Sequence, residues 1–550
     1  MPTVSEHVAL TLAQHIDHVF GIMGNGNAFF LDALERRTDA RYVAMRHEAG
    51  AVVAADAFFR ASGRIAAATA TYGAGFTNTL TALAESVQAS IPLVLVVGDE
   101  PTSGPRAWDV DQIALASAAG ARTYTVGHAD AAATAVIAIE HALTYRTPTV
   151  LAIPYDVARL EAGPVPATAG PRPRPVIAPT APFTAASVAA LAHDLAAAER
   201  PLLLAGRGAH RAEAGELLGE LADLTGAVTA TTALARSIFP RPEFDLGITG
   251  GFGAEGAMAL FHEADLVVVL GASLNQFTMR FGQLFSPASR VVQIDTAPSA
   301  THPHVGSFIR ADVAETAAAL VAQLREIGAE PSGWRESLDI AALRERETGD
   351  ELAPDGRLDP RSAAIRIGEL LPEDRVVVSD GGHFIGWANM YWPVSAPERM
   401  MMVGTHYQSI GLGFPSIPGA AAALPEAKVV LTTGDGGGLM ALADLESAVR
   451  TARGRGMAVV WNDNQYGAEV NVYGKLGVAG GPMLIPEVDF AGLAEPFGAE
   501  GVVVRTLEDL GRLRTWREED PDERRFLVLD LRVSGEIVAP YQEEILAMNR

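Results

Sequence analysis

Short apolar runs rich in β-branched residues alternate with longer stretches rich in Ala and Leu along most of the chain. The apolar runs have the length of buried strands and lie at residues 65–71, 92–97, 149–153, 201–204, 266–270, 291–294, 376–378, 429–432 and 457–461. Between them, apolar residues recur with helical spacing, as in residues 48–61, 187–198 and 442–452. This alternation of strand and helix predicts an α/β fold with mostly parallel sheets.

Two candidate linker segments divide this pattern, and the first is rich in Pro and small residues. Residues 161–184 should run extended between compact units, and residues 349–359 separate a charged helical stretch from the next strand–helix series. A chain of 550 residues is also too long for one core, because single cores stop growing near about 250–300 residues. The sequence therefore predicts three doubly wound parallel-sheet domains, at residues 1–160, 185–335 and 356–550.

Composition and charge narrow the possible partners. Hydrophobic residues make up 49% and charged residues 20% of the chain, as in an ordinary globular protein. A formal net charge of −24 opposes binding to nucleic acid or to acidic membrane surfaces. The absence of cysteine excludes disulfides, thiolate metal sites and cysteine nucleophiles. The N-terminus does not have the pattern of a signal peptide, and no apolar run reaches the roughly 20 residues of a membrane span, so we expect a cytoplasmic protein.

The most informative segment is KVVLTTGDGGGLMALADLESAVRTARGRGMAVVWNDNQYG, which has the pattern strand, Gly-rich turn, helix, strand and polar turn. A Gly-rich turn that opens into a helix presents backbone N–H groups and a positive dipole end to a phosphate. Asp435 lies in that turn, and Asp463 ends the following strand, which lies beside the first in a parallel sheet. Two carboxylates next to a phosphate cradle describe a Mg²⁺ site. The alternative for Asp435 alone is a helix cap.

This segment resembles the cofactor motif of the thiamine diphosphate (ThDP)-dependent decarboxylase, acetolactate synthase and carboligase superfamily. That motif begins with GDG and ends in an Asn/Asp-rich turn about one strand–helix unit later. The resemblance implies that Mg²⁺ is held by Asp435, Asp463 and the backbone carbonyl of Gln465. It also implies that Gly434, Gly436, Gly437 and Asn464 contact the cofactor. Asp463 replaces the commoner Asn, and its added negative charge favours Mg²⁺. The implied domains are pyrimidine-binding, central and diphosphate-binding.

Two further segments resemble the parts of the family that activate and bend the cofactor. YVAMRHEAGAVVAADAFFRASGR is similar to the RHE stretch, which implies that Glu48 hydrogen-bonds the pyrimidine ring and stabilises its imino tautomer. The alternative for Glu48 is a solvated residue at a helix start. GTHYQSIGLGFPSIPGA implies that Ile410 wedges beneath the cofactor and that the Gln408 carbonyl faces its amino group. Gln408 stands where Gly is more usual, and an isolated Ile would be a core residue.

Three other segments resemble cofactor and substrate contacts of the family. In VVVSDGGHFIG, Gly382 and His383 fall at diphosphate-contact positions, and His383 replaces the commoner Gln. His383 could also reach substrate, or could be a structural histidine. In FGIMGNGNAFF, Met23 takes the usual Pro position and Asn25 the next variable one, which faces substrate in relatives. Asn78 corresponds to the Asn of the family's T-x-G-P-G-x-x-N segment.

Three features bear on the reaction and on further cofactors. The paired histidines of pyruvate-decarboxylase-type relatives are not found after Gly98, which weakens a simple aldehyde-releasing decarboxylase. Glu469 lies three residues after Tyr466, at the spacing of an acid that handles protons in those relatives, although a surface residue is the alternative. GGFGAEG formally matches G-x-G-x-x-G, but we interpret it as a structural turn because no convincing strand precedes it and Asp265 follows too early. Nothing in the sequence compels FAD binding.

The resemblance covers essentially the whole chain and implies an enzyme. The leading hypothesis is a ThDP- and Mg²⁺-dependent, acetolactate synthase-like enzyme that decarboxylates a 2-oxo acid and joins the product to a second carbonyl compound. The alternatives are a C–C lyase or hydrolase acting on a diketone or acyloin, and a non-catalytic regulatory subunit with the same fold. Because Glu48 and the diphosphate motif lie on different domains, the resemblance implies a homodimer or homotetramer with active sites at the dimer interface.

Overall fold

The computed structural model of the chain describes residues 1–174 and 182–548. It contains three six-stranded β-sheets, in which all paired strands are parallel and helices cover the faces. Central strands such as those at residues 94–99 and 266–270 are buried along their whole length, as expected for parallel sheets covered on both sides. The predicted α/β class with three parallel-sheet domains is confirmed. Across the described ranges, no helix has the length and apolar character needed to cross a bilayer.

The N-terminal sheet has the strand order β2-β1-β3-β4-β6-β5. Its strands are β1 (His18–Gly21), β2 (Arg41–Ala44), β3 (Ala67–Ala70), β4 (Val94–Asp99), β5 (Arg122–Thr125) and β6 (Thr149–Pro154). Its helices are α1 (Val4–Leu12), α2 (Ala28–Arg37), α3 (Glu48–Ser62), α4 (Ala74–Thr77), α5 (Leu80–Gln88), α6 (Gln112–Ala118) and α7 (Ala131–Tyr145). The His47 side chain caps α3 by accepting the Ala49 N–H, so Glu48 stands at the helix start.

The central sheet has the order β12-β11-β10-β7-β8-β9. Its strands are β7 (Pro201–Ala205), β8 (Val228–Thr231), β9 (Asp245–Ile248), β10 (Leu266–Leu270), β11 (Arg290–Asp295) and β12 (Ser307–Arg310). Its helices are α8 (Pro182–Ala197), α9 (Arg207–Arg211), α10 (Gly215–Thr225), α11 (Glu255–Leu260) and α12 (Val313–Ile327), and the short α13 (Ile340–Leu343) follows.

The GGFGAEG segment lies directly after β9, so our expectation that no strand precedes it was wrong. The strand escaped prediction because it is only four residues long, begins with Asp245 and lies at the sheet edge. Packing nevertheless accounts for the glycines. A Cβ atom on Gly251 would lie 2.6 Å from the Phe277 ring, and one on Gly253 would lie 2.5 Å from the Met258 sulfur.

The C-terminal sheet has the order β14-β13-β15-β16-β18-β17. Its strands are β13 (Arg375–Ser379), β14 (Met400–Met402), β15 (Lys428–Gly434), β16 (Gly456–Trp461), β17 (Glu500–Val504) and β18 (Leu527–Leu531). Its helices are α14 (Pro360–Leu370), α15 (Ile385–Tyr391), α16 (Gly413–Ala423), α17 (Asp435–Met440), α18 (Ala443–Ala452), α19 (Gly467–Val472), α20 (Phe490–Ala494), α21 (Gly511–Glu518) and α22 (Pro540–Met548). Strands β13, β15 and β16 are neighbours, so their carboxyl ends bring three loops together at one sheet edge.

The N-terminal and C-terminal domains of one chain pack directly on each other. Helix α3 crosses α16 so closely that a Cβ atom on Gly419 would clash with the Ala54 carbonyl oxygen. It also approaches α18, where the Asp444 carboxylate would clash with a Cβ atom on Gly50. Apolar residues of both domains form one continuous hydrophobic cluster, which includes Val52 of α3. This packing fixes the N-terminal domain against helices α16 and α18 of the C-terminal domain.

The two candidate linker segments differ in structure. Residues 161–174 of the first contain no helix, residues 175–181 lie outside the described part of the chain, and its last residues are helical because α8 begins at Pro182. In the second segment, Leu358 is fully buried and forms a parallel bridge with Val533. The second segment therefore packs against the C-terminal sheet and does not run free.

Candidate active site

The Gly-rich turn and the polar turn meet at the carboxyl ends of β15 and β16. Asp435 is the first residue of α17 and is almost completely buried. Its Oδ1 accepts the Gly436 N–H at 2.9 Å, and its Oδ2 accepts the Asn464 N–H at 3.0 Å. Asn464 has a left-handed backbone with φ of 64°. Asp435 therefore links the Gly-rich turn and the polar turn through these hydrogen bonds.

Asp463 carries a carboxylate oxygen with no partner. Its Oδ2 accepts hydrogen bonds from His383 Nε2 at 2.8 Å and from Gln465 Nε2 at 3.3 Å. Its Oδ1 is buried and, within the described residues, accepts no hydrogen bond. Burial, followed by the adjacent Asp463 carboxylate, raises the pKa of Asp435 to about 7. Two buried like charges and an orphaned oxygen are costly unless a cation lies between them.

This donor set fits Mg²⁺ that is shared with a phosphate ligand. Mg²⁺ usually binds through one or two carboxylates and fills its other positions with phosphate oxygens and water. In the described part of the chain, no group of three or more His, Cys, Asp or Glu side chains could hold a metal ion. The two aspartates and a backbone carbonyl at Gln465 would be a partial shell of the kind that a diphosphate completes.

The loop after β13 reaches the same place. Gly382 has φ of 142°, and the His383 ring lies so close to the start of α19 that a Cβ atom on Gly467 would be 2.5 Å from its Nε2. Tyr541 donates a hydrogen bond to the His383 carbonyl oxygen. Burial opposes the charged form of His383, but the Asp463 carboxylate outweighs burial and raises its pKa. His383 thus contacts the proposed metal ligand directly.

Asp380 is a buried residue of this site that the sequence patterns did not single out. Its carboxylate accepts hydrogen bonds from Gly381 N, Gly411 N, Leu412 N and Thr433 Oγ1 at 2.8–3.2 Å. Burial raises the pKa of Asp380 to about 6. The only sequence signal was an Asp at the end of a predicted strand, before Gly-Gly. Asp380 joins the ends of β13 and β15 to the loop before α16.

The loop that contains Gln408 and Ile410 lies between β14 and α16. Gln408 adopts φ of 57°, the left-handed conformation that explains why Gly is more usual at this position. Ile410 is only partly buried, and its Cγ2 would lie 3.2 Å from a Cβ atom on Gly381. Ile410 therefore lies at the loop surface, next to the loop after β13, and not in the interior of the core.

Glu48 and Asn78 come together on the N-terminal domain. The Asn78 Nδ2 donates to Glu48 Oε2 at 3.0 Å, and Glu48 remains partly exposed. The hydrogen-bond partners of Asp435 and Asp463, by contrast, all belong to the C-terminal domain. One chain therefore presents two half-sites, one on each of these domains.

The third group of predicted residues lies on the same N-terminal domain and is exposed. Met23 is 64% exposed, and Asn25 donates from Nδ2 to the Tyr72 hydroxyl at 2.8 Å. The Arg106 guanidinium carbon lies 4.3 Å from the Tyr72 ring centre and also faces Trp108. Arg106 lies in the segment after Gly98. In the sequence, that segment was noted only because it lacks the paired histidines of pyruvate-decarboxylase-type relatives. The arginine–aromatic cluster was not predicted because its members are separated along the chain.

Two more side chains border the metal turn. Glu469 is exposed in the first turn of α19, and no hydrogen bond or ion pair of its carboxylate is found among the described residues. Arg357, which was not predicted from the sequence, donates to Asn464 Oδ1 at 2.9 Å and to the Asn462 carbonyl at 2.7 Å. A cavity of about 370 Å³ next to Asp463 is lined by Arg357 and other polar residues. Arg357 thus fixes the outer side of the turn.

Comparison with known proteins places this geometry in a family. Models of the thiamine pyrophosphate enzymes match residues 2–115 as the N-terminal TPP binding domain, 188–320 as the central domain and 380–527 as the C-terminal TPP binding domain. The chain belongs to this family of ThDP-dependent enzymes. The predicted family and the prediction that the chain is an enzyme are confirmed, and the two TPP binding domains support ThDP as its cofactor.

Individual relatives span nearly the full chain. A sulfoacetaldehyde acetyltransferase from Castellaniella defragrans is 28% identical over 98% of this chain and 94% of its own length. An acetolactate synthase from Mycobacterium avium is 29% identical over 90% of this chain and 82% of its own. The ThDP-dependent 4-hydroxybenzoylformate decarboxylase of Rhodococcus jostii RHA1 matches with a TM-score of 0.79 and 22% identity, covering 97% of this chain and 99% of that one. The last match establishes a shared fold.

Proposed function

We propose that this chain is a Mg²⁺- and ThDP-dependent 2-oxo acid decarboxylase and carboligase of the acetolactate synthase type. The observation that carries the metal assignment is the orphaned Oδ1 of Asp463 beside the buried carboxylate of Asp435. Asp435, Asp463 and the Gln465 carbonyl would hold Mg²⁺. The diphosphate would lie against Gly434, Gly436, Gly437, Asn464, Gly382 and His383, where the N-terminus of α17 opens.

The N-terminal half-site would activate the cofactor. When bound, ThDP supplies a carbanion at the thiazolium C2 that attacks a carbonyl carbon. Glu48 would form a hydrogen bond with the pyrimidine ring. Asn78 orients the Glu48 carboxylate through the 3.0 Å hydrogen bond. Ile410 would press beneath the bent cofactor, with the Gln408 carbonyl facing the amino group. Met23 would contact the cofactor and Asn25 the substrate.

Glu48 and the pair Asp435 and Asp463 lie on different domains, and membership of this family implies that such half-sites meet across a subunit interface. The assembly would then be a homodimer, or a homotetramer built from such dimers, with active sites at the interface. Exposed apolar side chains flank both half-sites, including Met23 at 64% and Met440 at 60% exposure. In the proposed dimer, the partner subunit would cover these side chains. The net charge of −24 opposes binding to nucleic acid and to acidic membranes. We propose a cytoplasmic location.

Two observations bear on the reaction within this class. The acetolactate synthase and acetyltransferase relatives favour a carboligation or transfer step after C–C cleavage. The position of Glu469, three residues after Tyr466, favours an added general acid or base at the cofactor. The second candidate, a lyase or hydrolase of diketones or acyloins, would use the same cofactor and the same half-sites.

A substrate panel tests the proposal. Purified protein is supplied with ThDP and Mg²⁺ and incubated with 2-oxo acids or diketones, with and without acceptor aldehydes, and products are identified by mass spectrometry. We expect CO₂ release from a 2-oxo acid and a ligated product when an acceptor is present. Cleavage of a diketone alone would favour the second candidate. A protein that binds no ThDP in the presence of Mg²⁺ would overturn the proposal altogether.

A further inference from the structure

The loop of residues 404–411 has a backbone that needs external anchors. Gly404, Gln408 and Gly411 all have positive φ, at 91°, 57° and 81°. Gln408 is strained in this conformation because it carries an L side chain. One internal hydrogen bond, from Ser409 N to the Gly404 carbonyl at 2.8 Å, closes the turn. Contacts with residues outside the loop are therefore needed to hold its backbone in this conformation.

Two buried carboxylates supply these contacts, one from each domain. Glu85 Oε2, on α5 of the N-terminal domain, accepts the Tyr407 N–H at 2.7 Å. Asp380, at the end of β13, accepts the Gly411 N–H at 3.2 Å and the Leu412 N–H at 3.1 Å. The residues between these two anchors are Gln408, Ser409 and Ile410. The proposed cofactor-bending residues are therefore held between Glu85 and Asp380.

Glu85 is itself fixed by a buried ion network. Its side chain is 1% exposed and lies 3.1 Å from Arg60 Nη2 and 3.5 Å from His406 Nδ1. Arg60 pairs with Asp56 and donates to the Met402 carbonyl at 2.9 Å, where β14 ends and the loop begins. Burial opposes ionisation, but His406 and Arg60 lower the pKa of Glu85 to about 2. Tyr407 therefore donates to a charged acceptor, which makes the stronger kind of hydrogen bond.

We infer that Glu85 is a positioning residue that sets Gln408 and Ile410 of its own chain in the cofactor-bending geometry. This inference rests on the proposed function, because it assigns Gln408 and Ile410 to the cofactor. It also links the two half-sites, since α3 begins at Glu48 and carries Arg60, the ion-pair partner of Glu85, about three turns later. The N-terminal domain thus contributes to the C-terminal half-site of its own chain in addition to presenting Glu48.

The first test needs no cofactor. Amide hydrogen exchange is measured by mass spectrometry on the full-length, cofactor-free protein and on Glu85→Gln, which keeps the shape of the side chain but removes its charge. We expect exchange in residues 404–411 to become about tenfold faster or more, since a hydrogen bond to a charged acceptor is weakened. Asp245→Asn removes a buried carboxylate of the central domain and serves as the matched control, which should leave this loop unchanged.

The second test separates positioning from binding. ThDP affinity in the presence of Mg²⁺ is measured by calorimetry, and C2 hydrogen–deuterium exchange of the bound cofactor is measured by NMR. We expect Glu85→Gln to slow C2 exchange about tenfold or more while the dissociation constant changes less than about threefold. Glu85→Asp, which keeps the charge but withdraws it from Tyr407, should show the same pattern if Glu85→Gln does not fold.

Either of two results overturns the inference: unchanged amide exchange in residues 404–411, or a normal C2 exchange rate in spite of a loosened loop. Failure of the proposed function looks different, because the wild-type protein would then bind no ThDP. In that case the amide-exchange arm would still report whether Glu85 anchors the loop.

Discussion

The hydrogen bond between His383 and Asp463 provides the sharpest test of the metal site. His383→Ala removes the Nε2–H that donates to Asp463 Oδ2 at 2.8 Å and leaves that oxygen with the longer 3.3 Å contact to Gln465. The Asp463 carboxylate could then rotate, so that its Oδ1 would no longer be held in position for the proposed cation. We therefore expect His383→Ala to weaken Mg²⁺ binding without removing a metal ligand.

The size of this effect follows from two estimates. A hydrogen bond to a charged group contributes about 1.5–3 kcal/mol, which is about 10–100-fold at about 1.4 kcal/mol per factor of ten. Independently, loss of a group that orients a metal ligand typically costs about 10–100-fold in metal affinity. The two estimates agree, so we expect His383→Ala to raise the dissociation constant for Mg²⁺ by about 10–100-fold.

The assay is a calorimetric titration of Mg²⁺ into protein with saturating ThDP, repeated with Mn²⁺ so that metal binding can also be followed by electron paramagnetic resonance. His383→Gln is the control, because it restores the residue that is commoner in relatives and keeps an N–H donor. It should bind Mg²⁺ within about threefold of the wild-type protein, since a donor of similar reach remains. Wild-type affinity in His383→Ala would refute the reasoning, and the histidine would then be a packing residue.

Substitutions at four carboxylates test the proposed metal-binding and proton-transfer roles. Asp435→Ala and Asp463→Ala should each abolish Mg²⁺-dependent ThDP retention in a folded protein, and undiminished binding by calorimetry in both would remove the metal assignment. Glu48→Gln should retain ThDP but slow C2 deprotonation by orders of magnitude, which hydrogen–deuterium exchange at the wild-type rate would contradict. Glu469→Gln should lower turnover by about 10²-fold or more with ThDP affinity intact and make an intermediate accumulate; a change below about threefold would make Glu469 a bystander.

Most strands inside the sheets were predicted from the sequence, and the strands at the sheet edges were not. Each predicted apolar run overlaps an observed strand, because strands buried on both faces carry an unbroken apolar signal. The strands at the six sheet edges, β2, β5, β9, β12, β14 and β17, were all missed. Edge strands such as β2 and β5 are short and partly exposed, so they lack that signal. Strands β1, β8 and β18 were also missed, although they lie inside their sheets and are buried along their whole length.

The residues of the candidate site also fall into two groups, those that belong to a local sequence motif and those that are joined only by long-range contacts. The motif residues could be predicted because Asp435 and Asp463 belong to consecutive strand–helix units whose spacing is visible along the chain. The residues that hold the motif in place make contacts over 31, 107 and 322 positions, from Asp380 to Gly411, Arg357 to Asn464 and Glu85 to Tyr407. No local pattern encodes such pairs, because each depends on how separate loops and domains pack.

His383 and Asp463 show what the structure adds to a motif. In the sequence they are two separate departures from the commoner residues of the family, Gln and Asn, 80 positions apart. A carboxylate at position 463 has two acceptor oxygens and no donor. If one oxygen binds the proposed metal, the other needs an N–H or O–H from elsewhere. The His383 Nε2–H meets that need. Each departure therefore explains the other.

We expect Asp463→Asn combined with His383→Gln to bind Mg²⁺ better than Asp463→Asn alone in the same titration, because the introduced amide would then face a side chain that can also accept a hydrogen bond. Equal or weaker binding by the double variant would show that the two positions act independently.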